Sequence, residues 1–299
     1  MAAHRSNRAR RFDDDVWQPD PVIAPTAHER EPDGDPADLD PEPSWSTYPD
    51  AARGPTPAPR WLVTDPRALD ADLGVLKTGK EADVSLLRRA LAEPGEPTHE
   101  CLLAVKRYRS AEHRMFHRDS GYLEGRRVRR SREMRAMQTR TAFGKELIAQ
   151  QWAFAEFVVL ARLWSAGVAV PYPVQLIGSE LMMEFIGSPD GVAAPRLAQV
   201  HPSPAEAAAL YGQLVRVLIG LAEAGLAHGD LSAYNVLVHD GRVVLIDVPQ
   251  AVDIVGNPQG FTYLRRDCEN ICGWFDGRGV PGVDADELFA DLAHRAGAT

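Results

Sequence analysis

The stretch His228-Gly229-Asp230-Leu231-Ser232-Ala233-Tyr234-Asn235, with Ile246-Asp247 closing the segment that follows, decides how the chain reads. Between the two pieces lie Val236-Leu237-Val238 and Val243-Val244-Leu245-Ile246, short apolar strands joined by His239-Asp240-Gly241-Arg242. Asp-Gly between apolar runs is a strong signal for a tight hairpin turn. A hairpin returns the chain to its starting end, so Asp247 comes back beside the loop that carries Asp230 and Asn235. Phosphoryl transfer needs a carboxylate beside the attacking hydroxyl, plus a side-chain amide and a second carboxylate to hold Mg²⁺ against the phosphates. Asp230 fits the proton acceptor, and Asn235 and Asp247 fit the metal ligands. Oxygen donors of this kind suit a hard cation, Mg²⁺ or Mn²⁺.

The flanking segments build two lobes around that loop. Ser203-Pro204-Ala205-Glu206 is a capping box with proline at the first helical position. The helix it starts carries the stripe Leu210, Leu214, Val217, Leu218 and Leu221 and stops at Gly225. Tyr263 to Phe275 and Ala285 to Arg295 are helical by pattern. Nearer the N-terminus, Ala82 to Leu87 and Cys101 to Lys106 read as strands, with Pro94, Gly95 and Pro97 in the turn between them. Lys145 to Ala166 reads as one long helix stopped by Gly167 and Pro171. Leu176-Ile177 and Leu181 to Ile186 add two strands, and Gly187 to Val200 is the crossover between lobes. The fold class is α+β, a two-lobed arrangement with a β-rich N-lobe holding one long helix, a mainly helical C-lobe, and a cleft between.

Two further features bear on chemistry in that cleft. Ala104-Val105-Lys106 supplies a strand lysine for phosphates, and Glu156 sits inside the long helix among Phe154, Phe157 and Leu160. A buried carboxylate needs a positive partner, so Lys106 and Glu156 are predicted to pair. Gly74-Val75-Leu76-Lys77-Thr78-Gly79-Lys80 approaches a Walker A loop, but Glu81 stands where that motif needs Ser or Thr, and a strand follows where it needs a helix. A strand–turn–strand with Gly79 and Lys80 reads instead as a lid over phosphates.

Composition bounds the rest. The 299 residues are 44% hydrophobic and 25% charged, which excludes collagen, coiled coil and wholesale disorder. No apolar run approaches the roughly 18 residues of a bilayer span. Met1 to Phe12 is basic but leads into Asp13, Asp14 and Asp15, so it does not read as a signal peptide. Three cysteines, Cys101, Cys268 and Cys272, make no disulfide framework. A cytoplasmic chain without membrane contact is expected. The first 60 residues hold 11 of the 23 prolines, with 12 acidic residues against 7 basic ones, and read as a disordered acidic tail in which Trp17, Trp45 and Tyr48 are isolated aromatics. Lys106 to Lys145 reverses the sign, with 13 Lys/Arg against 4 Asp/Glu, a block able to meet RNA phosphates or acidic peptide. The expected division is a tail over 1–60, an N-lobe over 61–186 with a basic flexible loop at 107–145, and a C-lobe over 187–299.

Taken together these segments resemble the RIO-type atypical protein kinases, closest to the type-1 branch. The pieces are Thr78-Gly79-Lys80-Glu81-Ala82-Asp83-Val84, Ala104-Val105-Lys106, the helix with Glu156 and its exit Ala166 to Pro171, Met183 to Gly187 with Ala194-Pro195-Arg196-Leu197, His228 to Asn235, and Ile246 to Val252. The resemblance implies a two-lobed kinase fold, ATP with Mg²⁺, and serine/threonine phosphorylation seen mostly as autophosphorylation. It also implies ATPase-like turnover through a phosphorylated aspartate at Asp247. By position it implies Asp230 as proton acceptor, Asn235 and Asp247 on the metal, Lys80 and Lys106 on phosphates, and Glu184 and Ile186 holding adenine through the hinge backbone. The stretch Arg107 to Lys145 matches the family's flexible loop, where Ser120, Ser131, Thr139 and Thr141 are autophosphorylation candidates. Three positions need comment. Lys77 replaces the serine usual at the start of the lid. Gly229 stands where ordinary protein kinases have Arg, and Val248-Pro249 stands in place of Phe-Gly; both are normal for the family. The Ala/Arg-rich composition points to a GC-rich bacterial source.

Two rival readings stand beside this one. A small-molecule kinase of the aminoglycoside-phosphotransferase type shares the His-Gly-Asp-Leu loop, but it predicts Asp-Phe or Asp-Trp after Ile246 and no Gly79-Lys80-Glu81-Ala82 lid. The other is an ATP-operated assembly factor that binds RNA or ribosomal protein through the basic segment, with hydrolysis as its output. The residues of the site do not separate it from a kinase acting on a protein substrate.

Overall fold

The computed structural model describes residues 43–79, 81–92, 98–109 and 142–297, and for Ala142, Phe143 and Lys145 the backbone alone. In chain order the strands are β1 (Ser44–Trp45), β2 (Ala52–Arg53), β3 (Leu69–Thr78), β4 (Ala82–Leu91), β5 (His99–Tyr108), β6 (Pro173–Ile177), β7 (Glu180–Glu184), β8 (Leu226–Ala227), β9 (Val236–His239), β10 (Arg242–Leu245) and β11 (Val252–Asp253). The helices are α1 (Ala142–Ser165), α2 (Pro204–Glu223), α3 (Gly260–Asp276) and α4 (Ala285–Arg295). This is the two-lobed, kinase-like α+β arrangement.

The N-lobe is a seven-stranded antiparallel sheet in the order β1-β3-β4-β5-β7-β6-β2. Directly opposed residues share a face, so the register Leu87↔Leu103 and Val105↔Met182 defines one face, and Val84↔Lys106↔Leu181 the other. The first face packs Leu87, Leu103, Val105 and Met182 against Tyr48, Leu62, Val63 and Tyr172. The second carries Ala82, Tyr108 and Leu181 into the core with Ala149, Ala153, Phe157 and Leu160 of α1. Phe154 points the other way and is exposed. The helix ends as its sequence requires, with Gly167 at φ +77° and its N–H on the Trp164 carbonyl at 2.9 Å.

The tail boundary at residue 60 needs correction. Ser44 to Arg53 contribute two edge strands to the sheet, and Tyr48 is buried. What holds this segment is polar chemistry on the first face. Arg89, fully buried, donates to both oxygens of Asp70 at 2.7 and 2.8 Å and to Gln175 at 2.9 Å. Gln175 in turn donates to Thr47 Oγ1 at 2.8 Å, and the Arg89 guanidinium lies 5.6 Å from the Tyr48 ring centre. A buried guanidinium demands such partners, and the proline- and acid-rich composition conceals that residues 44–53 join this network through Thr47 and the Tyr48 ring. Trp45 is exposed.

In the C-lobe, Ser203 accepts from the Glu206 N–H and Glu206 accepts from the Ser203 N–H at 2.8 Å, the reciprocal cap that starts α2. That helix is long and apolar enough to cross a bilayer, but Leu210, Leu214, Val217, Leu218 and Leu221 are buried in the core. Asp240 and Gly241 both have positive φ, 48° and 71°, the turn that a two-residue hairpin between β9 and β10 requires. A short pair, β8 with β11, brackets the loop and the segment that follows Asp247. The three cysteines are free and buried, and burial pushes the Cys268 thiol up to about 12.

Candidate active site

The site forms where the second face of the sheet meets the loop after β8 (Leu226–Ala227). Lys106 on β5 is nearly buried and donates to Glu156 Oε1 of α1 at 2.9 Å and to Asp247 Oδ1 at 2.7 Å. The Tyr108 hydroxyl closes the other side of Glu156 with a short hydrogen bond to Oε2. Burial alone lowers a lysine's affinity for its proton, but Glu156 and Asp247 outweigh that and hold Lys106 above its ordinary value. Burial presses the Asp247 carboxyl up, yet the Lys106 charge and hydrogen bond, with His228 and Lys77 nearby, hold it below its usual range. Asp247 itself adopts φ +64°, a left-handed conformation costly for a residue with a Cβ.

The loop is tied to that aspartate at two points. His228 Nε2 lies 3.1 Å from the Ile246 carbonyl, and the Ile246 N–H donates to the Asn235 carbonyl at 2.9 Å. Asn235 Nδ2 donates to the Asp230 carbonyl at 2.9 Å, which leaves Oδ1 as the acceptor of that side chain. Asp247 Oδ2 likewise has no partner among the described residues. One free oxygen from each of these residues fits Mg²⁺, which keeps water and takes phosphate oxygens to complete its shell. Among the described residues no group of three His, Cys, Asp or Glu side chains converges on one point, so protein ligands alone do not make a metal cage. The Asp230 side chain is half exposed, with Arg266 Nη2 at 3.9 Å from Oδ1.

Other predicted residues fall as follows. Glu184 ends β7 (Glu180–Glu184); its N–H donates to the Tyr172 carbonyl at 2.8 Å, and its Oε2 accepts from the Tyr172 N–H at 3.1 Å. Burial pushes its carboxyl up. The Ile186 carbonyl accepts from the Ala194 N–H at 3.0 Å, while the Ile186 N–H has no partner among the described residues. The Gly79 N–H donates to the Ala82 carbonyl at 3.0 Å. Lys80, Ser120, Ser131, Thr139 and Thr141 lie outside the described residues, as does most of the basic segment from Arg107 to Lys145.

Helix α3 (Gly260–Asp276) contributes residues that the sequence reading passes over. Asp267, buried, accepts from the N–H of Gly229 at 2.8 Å and of Leu231 at 2.9 Å, the two neighbours of Asp230. Burial pushes its carboxyl up, against those donors and His228. Asn270 donates to the Leu231 carbonyl at 3.0 Å, and Arg266 makes a short hydrogen bond to the Gly229 carbonyl. An arginine from a distant helix thus stands beside Asp230 where Gly229 lacks a side chain. The signal for Asp267 was present, a carboxylate in the apolar stripe of Leu264, Cys268 and Ile271.

A lysine shared by a helix glutamate and a post-hairpin aspartate, beside a loop presenting Asp230 and Asn235, is the arrangement of a phosphoryl-transfer cleft. Residues 94–288 match the RIO domain family. Over 222 residues the chain is 36% identical to the RIO-type serine/threonine-protein kinase Rio1 of Haloferax volcanii, covering 74% of this chain and 68% of that protein. It is 41% identical over 139 residues to serine/threonine-protein kinase RIO1 of Caenorhabditis elegans, covering 46% of this chain and 27% of that protein. For serine/threonine-protein kinase RIO1 of Homo sapiens the identity is 33% over 217 residues, covering 72% of this chain and 35% of that protein. The chain thus matches two thirds of the first relative's length, about a quarter of the second's and about a third of the third's. It belongs to the RIO domain family of serine/threonine protein kinases.

Proposed function

We propose that the cleft binds ATP with a divalent cation and transfers the terminal phosphoryl group to serine or threonine hydroxyls, including hydroxyls of this chain. The observation that supports this most is the shared lysine: Lys106 joins Glu156 of one lobe to Asp247 of the other through contacts of 2.9 and 2.7 Å. Lys106 then lies against the phosphates, and the Glu184 carbonyl and Ile186 N–H receive the adenine edge. Asn235 and Asp247 hold Mg²⁺ or Mn²⁺, which neutralises charge on the phosphates when bound. Asp230 takes the proton of the attacking hydroxyl as its oxygen bonds to the γ-phosphorus and the bond to the β–γ bridging oxygen breaks. ADP leaves. Lys80 adds a phosphate contact from the lid, and Ser120, Ser131, Thr139 and Thr141 are the acceptors within the basic segment.

A second reading rests on the free Oδ2 of Asp247 and the exposure of that side chain, about two fifths. Here Oδ2 attacks the γ-phosphorus, ADP leaves, and water hydrolyses the acyl phosphate, so that phosphate release resets an assembly carried by RNA or ribosomal protein on the basic segment. The two readings separate on stability of the label from γ-labelled ATP. Acid-stable, hydroxylamine-resistant label in protein supports transfer to hydroxyls. Hydroxylamine-labile label lost in Asp247→Asn, with excess free phosphate, supports the switch. Absence of ATP binding by calorimetry in the presence of Mg²⁺ contradicts both.

A further inference from the structure

The cleft holds two cations that the phosphoryl-transfer reading leaves unused. Lys77 on β3 (Leu69–Thr78) stands opposite Val84, and Val84 stands opposite Lys106. Opposed residues share a face and adjacent strands are about 4.8 Å apart, so Lys77 and Lys106 rise from the same side of the sheet two strands apart. Their level match is produced by β3 itself. Two register shifts, between Asp72 and Val75 and between Val75 and Lys77, insert two residues in all. The pairing before them, Asp72↔Leu87, would carry Lys77 to Ala82, level with Tyr108; after them Lys77 lies opposite Val84, level with Lys106. Two shifts restore the face that one would invert.

Arg196, on the segment between the lobes, lies against the loop that carries Asn235. Its guanidinium donates to the carbonyl of Tyr234, the residue before Asn235. Among the described residues neither Lys77 nor Arg196 pairs with a carboxylate, while Glu156 and Asp247 are already engaged by Lys106. Burial, then the Arg196 charge, hold Lys77 below its ordinary value, with Lys106 pressing the same way against Asp247 and Glu81. The surroundings of Lys77 are therefore short of negative charge.

We propose that Lys77 and Arg196 form a second polyphosphate grip, one cation from each lobe, that holds the terminal phosphate of a nucleoside triphosphate and lets the cleft distinguish triphosphate from diphosphate. This rests on the reading of the cleft as a nucleotide site. The pair lies outside the shared-lysine triad, so its removal leaves the adenine edge and the Lys106–Asp247 contact in place.

The test measures affinities of the full chain for Mg-ATP, Mg-ADP and adenosine, in the wild type and in Lys77→Met, Lys77→Arg and Arg196→Gln. A lost charge-assisted phosphate contact predicts about a tenfold weaker ATP affinity in Lys77→Met and in Arg196→Gln. ADP should weaken about twofold at most and adenosine not at all, with Lys77→Arg close to wild type. An ATP-to-ADP preference unchanged in both charge-removing variants overturns the grip while leaving the nucleotide reading intact. An equal loss for adenosine overturns it too, as a general disturbance of the cleft. A wild-type chain that binds adenosine and ATP with the same affinity, or neither, overturns the nucleotide reading along with it.

Discussion

Lys106 Nζ and Asp247 Oδ1 lie 2.7 Å apart, although 141 positions separate them along the chain and each belongs to a different lobe. That contact, shared with Glu156, couples the position of the sheet to the position of the loop. Whatever moves one lobe against the other must break or stretch it.

Removing Lys106 therefore has two separable effects. Lys106→Met leaves the fully buried Glu156 without its ammonium partner, and an orphaned buried charge costs about 3–5 kcal/mol. Glu156→Gln added to Lys106→Met removes that charge and recovers a large part of the loss. Urea unfolding of the two variants checks this. Equal instability of single and double variants would mean that the loss does not come from the Lys106–Glu156 contact.

The pH behaviour of the pair has a definite sign. Asp247 is held below its ordinary value, so the stability it contributes is fully present above the unfolded value of about 3.9 and is lost as pH falls through the lower folded value. Lys106 is held above its ordinary value, so its share is present below about 10.4 and is lost only as pH rises through the higher folded value. Between those limits the contribution is flat. The stability difference between wild type and Asp247→Asn should thus be constant from about pH 5 to 9 and shrink below about pH 4, as denaturant midpoints across that range will register. A difference that grows on acidification contradicts the assignment.

The loop that presents Asp230 is held from behind by Asp267. Asp267→Ala strips the N–H groups of Gly229 and Leu231 of their acceptor; with Asp230 in its proposed role of proton acceptor, its misplacement costs on the order of a hundredfold in turnover. Because the contacts of Asp267 are with the loop and not with Glu184 or Ile186, the proposed adenine contacts, kcat should fall while KM for ATP holds. A parallel loss in both would indicate general unfolding of the lobe instead.

Gly229 is the tightest point of the same loop. Its φ is +83°, and a Cβ there would lie 2.7 Å from the Gln250 carbonyl and 3.2 Å from Val252 Cγ2. The Gln250 carbonyl is backbone, so a Cβ here displaces the loop that carries Asp230, and Gly229→Ala should lower turnover by about a hundredfold. Steady-state kinetics at matched folded fraction measures it, and a near-wild-type rate would show that the loop tolerates the shift.

Much of this geometry was legible in the sequence because local rules act on neighbouring residues. The capping box at Ser203, the Asp240-Gly241 turn and the apolar stripe of α2 (Pro204–Glu223) each specify structure within a few positions. The Lys106–Glu156 contact was legible for another reason: a carboxylate inside an apolar helix must find a cation. Asp267 carries a similar signal, a carboxylate in an apolar helical stripe, but nothing in the sequence names Gly229 and Leu231 as its partners; Arg266 and Asn270 carry none, since they act on a loop more than thirty residues away and no spacing rule links the two. Residues 44–53 were hidden by their surroundings. Prolines and acids around them set the average, while burial of Tyr48 and the link from Thr47 to Gln175 depend on single side chains meeting Arg89 across the sheet. Lys77 reads as an oddity in sequence and gains meaning only once two register shifts set it level with Lys106.

The most direct test of the shared-lysine cleft follows label from γ-labelled ATP into the purified chain with Mg²⁺, beside Asp230→Ala and Lys106→Met. The account predicts acid-stable phosphoserine or phosphothreonine in the wild type, and at least a hundredfold less in both variants, since a proton acceptor alone supplies about that factor. Label that persists unchanged in Asp230→Ala and Lys106→Met would contradict it, because the phosphate would then be transferred without the residues that the fold brings together.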